Sequence, residues 1–323
     1  MIPITKTSLF CLLTLSTVLV AQDHDLSIPA KKGSTVWLSK VEKMEQTIDM
    51  GGQEMEIGRE TTTVMQCTVK DVDDKGMLVV ETKIARIHGT MTIPMAGDVE
   101  FDSAAPSQDD DDGGDEDGFG MPSSGAIAKS QTMLAGKSFV AKVDSKGKVA
   151  SLEGVAELLK AGKGGGGMMP QGPTETDLRR LVEGAFGNVP DKAVAVGGTW
   201  DHKTGEGSGM PGVSMKLTLA KVDDDTFEVT STGTIDPPKT DGGDDPRAKM
   251  MESMKIVSSK SVGSQHISRK DGFVLDASHT VEMDATMESP MGGEMSMKVK
   301  ASTTTKRTTA DAAMPAKAEA APK

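Results

Sequence analysis

The sequence predicts a mainly β protein: long antiparallel hairpins in two similar curved-sheet, half-barrel-like halves with a short helical segment between them. Three observations carry this. Runs of β-branched residues and methionine recur along the chain with partial alternation of apolar and polar positions, the period of a half-buried strand. Turn signals rich in Gly and Asp separate those runs at hairpin spacing. Two phrases are each written twice: MGGQEM at 50–55 is echoed by MGGEMSM at 291–297, and TVKDVDDKGMLVV at 68–80 by TLAKVDDDTFEVT at 218–230. The order of the echoed phrases differs between the halves, so a simple tandem copy is not expected.

Residues 1–21 read as a secretory signal peptide. Lys6 is the only charge, an apolar run follows over 8–20, and Ala21 offers a small residue for cleavage before Gln22. The run is about 13 residues, short of the roughly 20 that a membrane-spanning helix needs. Export to the periplasm or beyond the cell is therefore expected, with no transmembrane span in the mature chain. Cleavage near Ala21-Gln22 would remove Lys6 and take the net charge from −12 to −13. It would also remove Cys11, leaving Cys67 without an intramolecular disulfide partner.

The first β half is expected over 30–150. TVWLSKVEKMEQTIDM (35–50) is strand-like and stops at Gly51-Gly52, a pair suited to positive φ. The runs 53–72 and 77–93, parted by Asp73-Asp74-Lys75-Gly76, continue a meander. At about 3.3 Å per residue, a 15-residue strand is near 50 Å long and must twist, bend or carry bulges. Residues 104–127 hold clustered Asp among Gly, Ser and Pro and read as a disordered acidic loop. They do not make a calcium loop: counted from Asp109, Gly113 stands where the third ligand belongs, and no Glu closes the motif. Strand pattern returns over 133–151. A helical segment with a Gly-rich linker follows over 151–187: a first helix at 151–160 with Leu152 and Leu159 on one face, then a better one at 174–186. There Thr174 and Asp177 form a capping-box pattern, and Leu178, Leu181, Val182, Ala185 and Phe186 follow a helical stripe. The second β half occupies 188–309, and 310–323 reads as a disordered tail.

Aromatic content is 3%, with no Tyr, while Met reaches 23 residues. Methionine fills space that aromatics usually fill, and Met283, Met287, Met291, Met295 and Met297 share parity, an apolar sheet face if they lie on strands. Trp37, Trp200, Leu178, Leu181, Val182 and Phe186 are the candidate core anchors. The acidic balance and the scarcity of aromatics exclude a nucleic-acid surface. Gly136-Lys137-Ser138 resembles the end of a phosphate loop, but Gln131 stands where its first Gly must be. The five His are scattered, and only His266 and His279 are placed to approach, across a hairpin turning at Asp271-Gly272. No catalytic, cofactor or metal-binding set is expected.

LAGKSF (134–139), the helix pair, NVPDKAVAVGGTW (188–200) and the strand start at Lys32-Gly33 resemble a family of secreted bacterial β-rich domains of unknown function, over about residues 30–308. The resemblance implies a β-rich exported protein and brings no catalytic residues. Sheets curling around the 174–186 helix would be similar to lipoprotein-carrier folds. The expected function is non-enzymatic: binding of an apolar ligand such as a lipid, or of an envelope protein. The alternative is a structural or assembly component of the envelope.

Overall fold

A computed structural model describes residues 22–94, 97–105, 123–161, 173–204, 212–237, 253–288 and 293–314. The expected leader, most of the acidic loop, the Gly-rich linker, Met291 and the end of the tail lie outside these residues.

The first strands are β1 (Asp23–His24), β2 (Thr35–Asp49), β3 (Glu54–Val72), β4 (Leu78–Ile93) and β5 (Gly97–Asp102). Helix α1 (Ser124–Thr132) precedes β6 (Ser138–Val143) and β7 (Val149–Glu153), and α2 (Ala156–Ala161) and α3 (Glu175–Phe186) follow. Then come β8 (Val194–Ala195), β9 (Thr199–Thr204), β10 (Val213–Val222), β11 (Thr226–Ile235), β12 (Lys255–Ser268), β13 (Val274–Glu288) and β14 (Glu294–Thr308).

Twelve strands form one antiparallel sheet in the order β7-β6-β4-β3-β2-β14-β13-β12-β11-β10-β9, with β5 added on β4. The mainly antiparallel β architecture is as expected. The two meanders are not separate sheets: the first and last long strands, β2 and β14, pair over thirteen residues from Asp49↔Ser296 to Trp37↔Thr308 and fuse them. The sheet does not close into a barrel; β7 and β9 remain its edges.

Both echoes have a structural meaning. Gly51 and Gly52 turn β2 into β3 with φ of 67° and 98°. Gly293, φ 97°, precedes β14, whose pairing with β2 begins at Ser296↔Asp49, so Gly293 and Gly51-Gly52 lie at the same end of the sheet. The second pair of phrases forms the β3–β4 and β10–β11 hairpins at the other end. Each carries a β-bulge at the matching place, skipping Lys70 in one and Ala220 in the other.

Three expectations need correction. Residues 151–153 end strand β7 rather than begin a helix, and Leu152 pairs with Ala141. Strand pairing outweighs the helical spacing there, and α2 starts only at Ala156, beyond Gly154 at φ 79°. Helix α1, capped by Ser123 accepting from the Ala126 N–H, stands where loop was expected; its one buried residue, Ile127, leaves almost no amphipathic signal. His266 and His279 lie on opposite faces: His266 meets Asp276 at 2.9 Å, while His279 points inward.

The sheet is strongly rolled at its bulged end. β6 and β13 are five strands apart, about 24 Å across a flat sheet at 4.8 Å per step. Yet a Cβ added to Gly147, in the β6–β7 turn, would lie 3.4 Å from Ile28 Cδ1, and one added to Gly272, in the β12–β13 turn, 2.5 Å from Ile28 Cγ2. Both turns therefore touch one isoleucine. Phe186, at the end of α3, fills the same junction and stacks on Phe273 with centroids 4.5 Å apart. The N-terminal segment is tied in by Ile28 N–H donating to Ser145 O and by Lys146 Nζ donating to Asp25 and Ser27. Helix α3 also satisfies the β7 edge: Arg179 donates to Val149 O, and Glu183 accepts the Val149 N–H. That leaves less of β7 open to further strand pairing.

Candidate functional site

The face of the sheet that packs against α3 is the inner one. At the rolled end it carries the main core, including Leu38, Met65, Cys67, Val80 and Phe139 under Leu178, Leu181, Val182, Ala185 and Phe186, all buried. A smaller cluster of Leu217, Leu219, Phe227 and Val229 lies on the β10–β11 side. At the opposite end Met283, Met287, Met295 and Met297 form a third buried cluster with Ala285, Ile235 and Met254. Met287 faces Met295 directly across β13 and β14, and Met297 lies between Ile48 and Ala285. Gln46 donates an amide N–H to the Met297 sulfur at 3.0 Å.

Between the methionine cluster and the main core runs a belt that is polar although it faces inward. One row across β3, β2, β14 and β13 is Thr61, Glu42, Thr303 and His279; the next is Thr63, Lys40, Thr305 and Ala277, continued by Gln265 on β12. Of the eight buried polar residues among those described, Thr61, Thr63, Thr305 and Gln265 lie in these rows, and Ser261 borders them. Burying a hydroxyl or amide without a partner costs about 1–3 kcal/mol, so packing alone does not favour the buried members of the belt, while Glu42 stays about half exposed to water.

The belt satisfies itself only in part. Lys40 Nζ meets Glu42 Oε1 at 2.9 Å. Arg59 Nε, on the methionine side, donates to Thr61 Oγ1 at 2.9 Å. Ser261 Oγ and His279 Nε2 are 2.8 Å apart, and burial pushes the His279 imidazole below its ordinary range. The Gln265 amide reaches Asn188, just beyond α3, with long contacts of 3.4 and 3.5 Å. Gly263 and Gly89 lie in the first row, and a Cβ at Gly89 would fall 2.0 Å from Glu60 O, so the strands coil tightly there.

The belt gathers residues that the sequence reading did not group. Their signal was present: Thr61–Thr63 and Thr303–Thr305 are the Thr triplets that follow the two Gly-Gly phrases, and the fold places them on either side of β2 in matching register. Of the expected anchors, Leu178, Leu181, Val182 and Phe186 lie in the main core. Trp200 is half-buried against the β10–β11 cluster, and its indole N–H is buried without a partner among the described residues. Trp37 is half-buried on the outer face of β2, opposite Val36 and Leu38, beside Gln66 and Thr308.

The outer face at the methionine end is charged. Glu45, Lys300, Glu282 and Lys260 alternate in sign across four strands and line a shallow depression of about 390 Å³. Among the described residues, no group of three or more His, Cys, Asp or Glu is placed to hold a metal ion, and no helix is long and apolar enough to cross a membrane.

A family model described as a family of unknown function, DUF6263, matches residues 75–274. The chain belongs to this family. The match runs from the β3–β4 turn to the start of β13 and so includes strands on both sides of the β2–β14 junction. No curated protein matches the chain. Among solved structures, lipovitellin, in a study of its lipid–protein interactions, is similar over 90% of this chain at 11% identity and a TM-score of 0.48. The match covers 26% of that chain, so this protein spans about a quarter of lipovitellin's length. The COG4313 outer membrane channel of Pseudomonas putida F1 is similar over 87% of this chain and 98% of its own, at 8% identity and a TM-score of 0.24. Neither score reaches 0.5, and neither likeness transfers a function.

Proposed function

We propose that this is an exported, non-enzymatic binding protein whose inner sheet face takes an apolar or amphiphilic ligand. One observation carries the reading: the inner face is divided into a methionine end and a packed end by a belt of inward-facing polar residues. A sheet that served only to cover its helices would gain by making that belt apolar. Methionine side chains are unbranched and adaptable, which suits a surface that must open for a guest and close behind it. The leader-like residues 1–21 support export.

Native mass spectrometry of the purified protein, followed by titration with a hydrophobic fluorescent probe, tests the proposal. A copurified lipid, or saturable probe binding lost in Met287→Asp, is the expected result. A silent probe with no bound lipid would rule the reading out. One dominant partner crosslinked in cells, with the inner face empty, would favour an assembly role instead.

A further inference from the structure

We infer that the ligand is a single-chain amphiphile with a carboxylate head, its head at Arg59 and its chain along the methionine end of the inner face. This rests on the binding reading above and adds the ligand class.

Arg59 stands at the boundary between the two environments. Its row, with Met44 on β2 and Ala301 on β14, separates the Thr61 row from the methionine cluster. The neighbouring carboxylate on the inner face, Glu42, is engaged by Lys40. Arg59 spends one N–H on Thr61 and has no carboxylate partner among the described residues. A guanidinium keeps its charge at any working pH and presents a planar fork matched to a carboxylate. The Thr303 and Thr305 hydroxyls, which make no hydrogen bond among the described residues, lie in the two rows beyond it.

The apolar path is long enough for one acyl chain. From Ala301, in the Arg59 row, to Met295 is six residues along β14, about 20 Å at 3.3 Å per residue. A chain spanning one leaflet covers half of a hydrocarbon core about 30 Å thick, about 15 Å. The path is closed as it stands, since Met283, Met287, Met295 and Met297 are only 7–9% exposed. Entry therefore requires these side chains to repack, which their flexible thioethers permit. The strip is long enough for one chain and, among the described residues, carries one cation without a carboxylate partner, which fits a monoanionic single-chain lipid.

The test uses the purified full chain and calorimetric titration with hexadecanoate and with hexadecanol, which share chain length and differ in head charge. Hexadecanoate should bind at least about tenfold more tightly, a difference that shrinks with added salt. Arg59→Gln should erase the preference by lowering hexadecanoate affinity toward that of hexadecanol, and Arg59→Lys should restore part of it. Equal binding of both probes by the unsubstituted protein would overturn the head-group assignment while leaving the apolar-ligand reading standing, as would an Arg59→Gln variant that keeps the preference. Failure of both probes to bind would overturn both. The comparison within the unsubstituted protein decides the matter even if Arg59→Gln does not fold.

Discussion

The rolled end of the sheet depends on Phe186, and its removal should be costly. The ring is fully buried, stacks on Phe273 at 4.5 Å with an interplanar angle of 25°, and its Cβ lies 3.1 Å from where a side chain on Gly147 would begin. It therefore touches two turns that a flat sheet would hold about 24 Å apart. Phe→Ala in a core typically costs about 3–5 kcal/mol, from lost transfer energy and the cavity left behind. Two features push Phe186→Ala toward the upper part of that range. The turns that would have to collapse onto the void are already pinned by Ile28 and Lys146, and the Phe273 ring loses its stacking partner. We expect a loss of about 4 kcal/mol, read as a lower urea midpoint by circular dichroism at unchanged slope. A double-mutant cycle with Phe273→Ala should return a coupling of about 0.5–1.5 kcal/mol. A loss below about 1 kcal/mol, or strict additivity of the two substitutions, would refute the claim that this ring pair closes the end of the sheet.

Glycine substitutions should separate strain from crowding. Gly51→Asn, at φ 67° with open space around it, should cost less than about 1 kcal/mol, whereas Gly272→Asn, at φ 70° with Ile28 Cγ2 2.5 Å from the added Cβ, should cost more than about 3. Comparable melting shifts for the two would contradict the contact. Burial holds His202, His279 and His88 below the ordinary imidazole range, with Lys148 adding to the effect at His202 and Arg86 at His88. The unfolded chain then binds protons near pH 6.5 that the fold refuses, so stability should fall as pH drops through 6.5 toward the lower folded values. Urea midpoints at pH 7.5 and 5.5 check this, and His279→Gln should flatten the slope; a midpoint independent of pH across that window would count against it. Cys67 is fully buried, and burial pushes its thiol up to about 11. A thiol reagent should label it only as fast as the protein opens, and rapid labelling of the native chain at pH 8 would contradict the buried placement.

The strands were legible because their signal is local. Alternation in 35–50 and 273–287 requires only that one face meet water and the other not, and Gly51-Gly52 marks a turn by its own backbone freedom. Helix α3 was legible for the same reason: its capping box and apolar stripe lie within residues 174–186, and Thr174 and Asp177 make both reciprocal hydrogen bonds. Helix α1 and the last residues of β7, 152–153, were not, since one has a single buried side chain and the other owes its form to pairing with β6. The candidate site was half legible. The Thr triplets are plain in the sequence, but nothing local says that residue 61 and residue 303 flank the same strand.

By itself, the sequence determined where this protein bends and which residues alternate, because turn chemistry and side-chain parity are properties of a few neighbouring residues. Only the tertiary structure decided that β2 and β14 pair, that the resulting sheet rolls until two distant turns share Ile28, and that Lys40, Glu42, Arg59 and His279 come together on its inner face. Those outcomes depend on register between strands more than two hundred residues apart. Register is set by the summed burial of a whole face, which no short stretch of sequence contains.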